Sequence, residues 1–585
     1  MRRLYIALFI LFALAVSGKN AVAQGMDGYG GGIKVFLNKD STSFIRLLMW
    51  SQIQTRFMTQ NPGSASVNNP NEQAAFDIAI RRSRMLFHGQ IGERILVFWI
   101  IGVNNQTFNS GGFGLAAGAD NFTDGKRQSA FVHDAWTEFK WSRELYIGAG
   151  LLTWSGLSRQ TNWATLNFLG YDSPAYGWVT LDATDQFARM FGIYAKGSIG
   201  KLNYRAVLTK PFAIPNPGIA GATGATPPNW AAGLTTLPNA YNIAQWAGDN
   251  NRLLYQAYVN YDFWEQESAV LPFMVGSYLG TKKVFNIGAG FMFHPRAHWS
   301  LSRPEGNARD ILNQVLSRES GAAARFNSLS TANRTAIVNG LNAGIFPTTT
   351  ATGPGAAPLN SNPNGSPLNS NAFYGAFNAW NTLSASDVNA VREAFIDTSY
   401  TNQFHFAVDY FMELPFEEKA DGSPDPKGMS WTSHGAFYRL NFGPNYVRNI
   451  GFLPIAQANP GNAALYQQPE FNGPANGFPV HGTGTVLYMQ NGLLLPYEFT
   501  EGWGRLQPYA AISYVNFDRL AEAFIMPELG LNWILSGQNA KITLHWRPRP
   551  IYGRAISVEP GRELLGGMQR IGTEHEVITQ FHIYL

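Results

Sequence analysis

The chain has 585 residues, 45% of them hydrophobic and 14% charged, with no cysteine and a formal net charge of +4. Without cysteine there is no disulfide scaffold, no thiolate metal site and no lipid-modified cysteine anchor. Beyond the N-terminus no window approaches the ~18 consecutive apolar residues of a membrane-spanning helix, and the mean hydropathy of −0.14 agrees.

Arg2 and Arg3 precede an apolar run from Leu4 to Val16 and the small-residue site Ala21-Val22-Ala23. This is the pattern of a secretory signal over residues 1–23, cut after Ala23. Arg2, Arg3 and Lys19 leave with it, so the charge falls from +4 to +1. A balance so near zero implies no nucleic-acid partner. Residues 24–42, including the Gly-Tyr-Gly-Gly-Gly run at 28–32, read as a periplasmic leader.

From residue 43 onward the alternation is period 2, which places side chains on opposite faces of a strand. It predicts strands at 43–58, 76–89, 93–105, 130–141, 144–154, 186–197, 201–211, 252–263, 284–294, 402–413, 430–442, 484–495, 506–517, 525–535, 540–547 and 577–585. The connections sort by parity. Those after the second, fourth, sixth and fourteenth strands are short, whereas those after the first, third, fifth, seventh, ninth, eleventh and fifteenth are long. The join near 517–524 is short against this rule, and the segment after the eighth strand is long against it. Short turns at one end and long loops at the other are the pattern of an outer-membrane barrel; a soluble sandwich has no reason to sort its loops.

One face of each strand is apolar. Ile45, Leu47, Met49, Ile53 and Phe57 oppose Arg46, Gln52, Gln54 and Arg56; Met85 and Phe87 oppose Arg82, Arg84 and His88; Phe139 and Trp141 oppose Asp134, Glu138 and Lys140; Ala206 and Leu208 oppose Arg205. In the hairpin from 528 to 546, Leu529, Leu531, Trp533, Ile542, Leu544 and Trp546 alternate with polar residues. Arg or Lys facing lipid at mid-bilayer costs ~2–4 kcal/mol, so the charged faces are expected inside and the apolar faces against outer-membrane lipid. Trp99, Trp141, Trp546, Tyr261 and Tyr584 lie near strand ends, where amphipathic rings suit the membrane interface. The expected fold is all-β: a transmembrane antiparallel barrel of about sixteen strands over 43–585, with a long loop insertion at 295–401 and an aqueous lumen, since only barrels of ~8 strands fill themselves.

Several stretches, "IRRSRMLFHGQIGERILVFWIIGV", "VHDAWTEFKWSRELYIGAGLLTWSGLSRQTN", "TDQFARMFGIYAKGSIGKLNYRAVL", "PELGLNWILSGQNAKITLHW" and the terminal "EVITQFHIYL", resemble the phosphate-selective porin O and P family. The resemblance implies a sixteen-stranded channel, usually a homotrimer, narrowed by an inward-folded loop and lined by basic residues that draw anions. The chain departs from that family at Thr153, where a basic residue is expected, and at Leu585, where an aromatic one is usual.

The candidate constriction is the connection 155–185, with Arg159, Asp182 and Asp185. It either folds into the lumen, opposing acidic and basic groups across a narrow bore, or lies outside as a solvated loop. Arg46, Arg56, Arg82, Arg84, Asp134, Glu138, Lys140 and Arg205 are the expected lining residues, as solute ligands or as general wall positions. No nucleophile elbow, zinc-protease or phosphate-loop motif is present, so no enzyme, cofactor or metal is implied. The expected function is passive diffusion of small hydrophilic solutes or ions, with a leaning to anions, across the outer membrane of a Gram-negative cell. The alternative is a barrel scaffold for adhesion, secretion or partner binding through the 295–401 loop.

Overall fold

The computed structural model describes residues 31–61, 64–66, 74–106, 130–153, 156–181, 183–212, 244–247, 250–268, 273–302, 397–450, 456–458, 477–500, 502–554 and 568–585, with scattered positions from 324 to 335. Residues 1–23, where a secretory signal is expected, and most of 295–401 fall outside the described residues.

Sixteen long strands follow one another in chain order. They are β1 Phe44–Thr59, β2 Ala74–Ile91, β3 Ile95–Gln106, β4 Phe131–Lys140, β5 Tyr146–Leu152, β6 Met190–Ile199, β7 Leu202–Lys210 and β8 Leu254–Asp262. The second half is β9 Val284–Ser302, β10 Asp397–Pro415, β11 Ser430–Asn441, β12 Gly484–Leu494, β13 Arg505–Phe517, β14 Phe524–Ser536, β15 Ala540–Arg554 and β16 Met568–Tyr584. Each pairs antiparallel with its neighbour, and β16 returns to β1 through Trp50↔Tyr584 to Met58↔Glu576. The sheet is therefore a closed barrel, which leaves no backbone edge unpaired along its circuit. Every predicted strand coincides with an observed one. Three of the short turns carry a glycine at positive φ, Gly92, Gly200 and Gly537, the conformation a tight hairpin needs and a side chain resists.

Two short strands complete the sheet. Ile33–Phe36, inside the supposed leader, pairs with β1 from Ile33↔Leu47 to Phe36↔Phe44 and occupies the edge beyond the chain's C-terminus. Gln245–Trp246 pairs with the upper end of β9.

The two faces separate as the alternation predicts. Leu529, Leu531, Leu544, Phe139, Ile147 and Ile193 are exposed on the outside, while Glu528, Asn532, Lys541, Thr543, His545 and Arg547 are buried inside. Arg439 is an exception on the outer face, two residues from the upper end of β11. Trp141 and Tyr261 are exposed near strand ends, but Trp99 stands fifth of twelve residues in β3 and Trp546 in the middle of β15, which runs on past the expected limit; Tyr584 is not an interface ring, since it is 1% exposed and packs inward with Leu48, Trp50 and Leu86. It sits on the inward parity of β16, opposite Trp50.

One local departure from period 2 matters below. Gln52 pairs with Arg82 but Ile53 with Ile80, so Arg81 is an extra residue in β2. This bulge turns two successive side chains, Arg81 and Arg82, to the inside, and both are fully buried.

Candidate functional site

The inside of the barrel is occupied. After β5 the chain passes inward with Gly156 at φ 61. Its backbone lies against β9 so closely that a Cβ on Gly290 would stand 2.3 Å from the Gly156 carbonyl oxygen. Leu157 through Leu181 are then almost all buried, with short 3-10 turns at Gln160–Asn162 and Ala175–Gly177. The expectation that 155–185 either enters the bore or stays outside is resolved: it enters, and it reaches from one wall to the other.

The polar face of the wall meets this loop's backbone, because buried carbonyls and amides need partners. On β1, β14, β15 and β16, donors point at carbonyls: Gln52 Nε2 to Thr165 O at 3.1 Å, Asn532 Nδ2 to Leu169 O at 2.6 Å, Lys541 Nζ to Phe168 O, and Gln580 Nε2 to Tyr171 O at 2.8 Å. On β10, acceptors take amides instead. Asp409 Oδ2 accepts from Arg159 N at 2.8 Å, and Glu413 accepts from Tyr278 N at 3.3 Å and Gly280 N at 2.8 Å.

Those last two residues belong to a second insert, the join 263–283 between β8 and β9. It rises from the short-turn end and meets the loop in the bore. Met274 exchanges backbone hydrogen bonds with Asn162 and Ala164 at 2.7 and 2.9 Å, and Phe273 packs on Phe98 of β3. Arg159 clasps Glu267 with both terminal nitrogens at 2.6 and 2.7 Å and donates to Val275 O. Sixteen staves enclose more space than their own side chains fill, and these two inserts enter and narrow it.

Charge is laid out across the bore. The wall of β1, β2 and β15 carries Arg56, Arg81, Arg82, Arg84, Arg547 and Arg549, countered locally by Glu576, which is paired with Arg56 at 2.9 Å and with Arg547. Asp262, Asp409 and Glu413 stand on β8 and β10, with Glu267 in front of them. Asp172, at the far end of the loop, bridges Arg81 and Arg82 at 2.7 Å each. Burial alone would raise its carboxyl pKa, but the two guanidiniums and their hydrogen bonds outweigh that and hold it at about 2. Glu267 is likewise lowered, against its burial, by Arg159.

The expected lining residues fare unevenly. Arg56, Arg82, Arg84 and Arg205 are buried on the inner face. Asp134 pairs with Arg189 at 3.1 Å, and Glu138 with Lys196 at 2.9 Å while accepting from Tyr194 at 2.7 Å, so both are neutralised locally. Lys140 is corrected: although its parity is inward, it is exposed at the short-turn end of β4 and stands at no constriction. Arg46 is half-buried near the same rim. Arg159 does reach mid-bore, but Asp185 does not; it accepts from Thr180 Oγ1 at 2.7 Å and Ala188 N at 3.0 Å, shaping the loop's return. Asp182 lies outside the described residues.

Arg81, Asp172, Glu267, Asp409 and Glu413 were missed by pattern reading. The Arg81-Arg82 doublet was itself a signal, since two successive inward-type residues break period 2. So was the length of 263–283 on the short-turn side.

No family model matches the chain, the phosphate-selective porins included, and no curated protein sequence matches it. Among solved structures it is similar to OmpF of Salmonella typhi, with 8% identity and a TM-score of 0.39 over 94% of this chain and 100% of that one. It is similar to an anion-selective porin from Comamonas acidovorans, with 7% identity and a TM-score of 0.38 over 93% and 100%. The outer membrane channel DcaP of Acinetobacter baumannii gives 8% and 0.37 over 95% and 100%. Matches at this level carry no information about solute or mechanism.

Proposed function

We propose that the protein is an outer-membrane channel through which small hydrophilic solutes diffuse, with a preference for anions. The observation that carries this reading is a closed barrel whose outside is apolar and whose inside is polar, with a loop drawn across the bore by side-chain contacts to both walls. An apolar exterior is what hydrocarbon requires. A loop held by ion pairs and hydrogen bonds, and attached covalently only at its ends, constricts the bore without being part of its wall, so the resting state is narrow. The wall of β1, β2 and β15 is rich in guanidinium, which attracts anions and orients them across the bore. A homotrimer is the assembly that the family resemblance implies, and we adopt it as part of the same reading.

Purified protein in a planar bilayer under a KCl gradient tests this. A channel gives discrete conductance steps, and anion preference displaces the reversal potential toward the chloride value. Silent membranes at protein levels confirmed by gel would remove the channel reading; a potassium-directed shift would remove the anion preference alone.

A further inference from the structure

The constriction loop and the insert 263–283 enter from opposite ends of the barrel, and one ion pair joins them inside. Arg159 gives Glu267 both terminal nitrogens at 2.6 and 2.7 Å, with the two side chains 0% and 7% exposed. We propose that Glu267 is a specificity-determining residue of the channel: by neutralising Arg159 from the short-turn side, it weakens the pull that the middle of the bore exerts on anions. The inference rests on the channel reading above but not on the sign of its preference, since it concerns the change that Glu267 makes.

Arg159 is fixed by more than its partner. Its backbone N–H donates to Asp409 Oδ2 at 2.8 Å, its guanidinium lies 3.9 Å from the centre of the Phe411 ring, and Nη2 donates to Val275 O at 2.6 Å. The positive charge therefore stays in the bore when Glu267 is neutralised. The wall carboxylates are committed elsewhere. Asp409 also accepts from Tyr258 Oη at 2.9 Å, Glu413 from Thr432 Oγ1 at 2.8 Å besides its two insert amides, and Asp262 from Asn203 Nδ2 at 2.8 Å and Asn260 Nδ2 at 3.1 Å. Among the described residues, Glu267 is the carboxylate paired with the Arg159 guanidinium. It is held in place as firmly: Tyr278 Oη donates to Oε1 at 2.6 Å, and Asn286 Nδ2, from β9, to Oε2 at 2.5 Å. Arg159 keeps it ionised against its burial.

Two opposite charges in contact present a dipole, whose field fades faster with distance than that of a lone charge. In a narrow bore between low-dielectric walls that difference reaches the ions that pass. Barrel closure does not account for the insert. The strands it joins, β8 and β9, pair directly from Tyr255↔Phe293 to Asp262↔Asn286, so a tight turn like that at Gly200 would connect them equally well. The added length of 263–283 brings a carboxylate to the constriction.

Reversal potentials of the full-length protein in planar bilayers under a KCl gradient test this. With ~0.1 M KCl on the concentrated side, charges are screened over ~10 Å. There Glu267→Gln should raise the chloride-to-potassium permeability ratio about twofold or more, the effect of one unit charge at ~10 Å in water. At ~1 M KCl the rise should fade, because the screening length drops to ~3 Å. Removing both charges in R159Q/E267Q should bring the ratio back toward that of wild type. A ratio that E267Q leaves unchanged at the lower salt overturns the proposal, as does a rise that persists at the higher salt or in the double variant. Conductance that changes while the potential stays put also overturns it and leaves Glu267 a structural support. Should E267Q lose the heat-modifiable gel mobility of a folded barrel, Arg159→Gln carries the test in the opposite direction. In that variant the ratio should fall about twofold or more, and an unchanged ratio refutes the proposal. Membranes that stay silent with wild type remove the channel reading, whereas membranes that conduct with an unmoved ratio remove this inference alone.

Discussion

Asp172 shows how a single side chain acts at a distance of ninety residues in sequence from its partners. Its folded pKa, about 2, lies below the ordinary carboxylate value near 3.8. A depressed pKa means that the pair contributes stability above pH ~4 and loses it as pH falls from there toward about 2. The thermal stability of wild type minus that of D172N should accordingly be constant from pH 8 to about 5 and shrink below about 4. At neutral pH the difference should be ~3–5 kcal/mol, the usual cost of breaking a buried pair. A difference already falling between pH 7 and 5, measured by thermal unfolding in detergent, would show that Asp172 is not ionised in this contact. Arg82 and Arg84 were legible in the sequence because alternation alone assigns a face. Arg81 was not, since parity with Arg82 and Arg84 places it outward and only the bulge against β1 turns it in.

At the scale of elements the hairpin of β14 and β15 is the plainest case. Leu531 pairs with Leu544 and Trp533 with Ile542 on the outside, while Asn532 and Thr543 lie opposite each other inside and are hydrogen-bonded at 2.7 Å. Replacing Leu544 by Lys should cost ~2–4 kcal/mol in a urea titration of folding into vesicles. Asn532→Leu should cost ~1–3 kcal/mol by leaving the Leu169 carbonyl unbonded, and a neutral result there would mean that the loop does not depend on that donor. Strand positions were readable throughout because each face meets one kind of environment. Strand lengths were not: β9, β10, β15 and β16 run to Ser302, from Asp397, to Arg554 and from Met568, beyond the predicted limits. At those upper ends the outer face is no longer strictly apolar, as Arg570 and His575 on β16 show, and the pattern fades while the backbone pairing continues.

For the whole molecule the decisive relation is between the bore and what fills it. Replacing residues 158–181 by a short Gly-Ser linker should leave a folded barrel, because the ring of strand pairs closes without the loop, and should raise single-channel conductance several-fold. An unchanged conductance would place the restriction in the 263–283 insert instead. The sequence by itself determined the strand count, the order, the end of the barrel that carries long loops, and which face is apolar. These follow from a local period-2 code read against one solvent on each side. Only the tertiary structure decided that the polar face holds the backbone of two inserts, and that Arg159 finds Glu267 and Asp172 finds Arg81 and Arg82. The reason is physical: a residue's face depends on its neighbours along the chain, whereas the partner of a buried charge depends on how loops and walls far apart in sequence meet inside a closed ring.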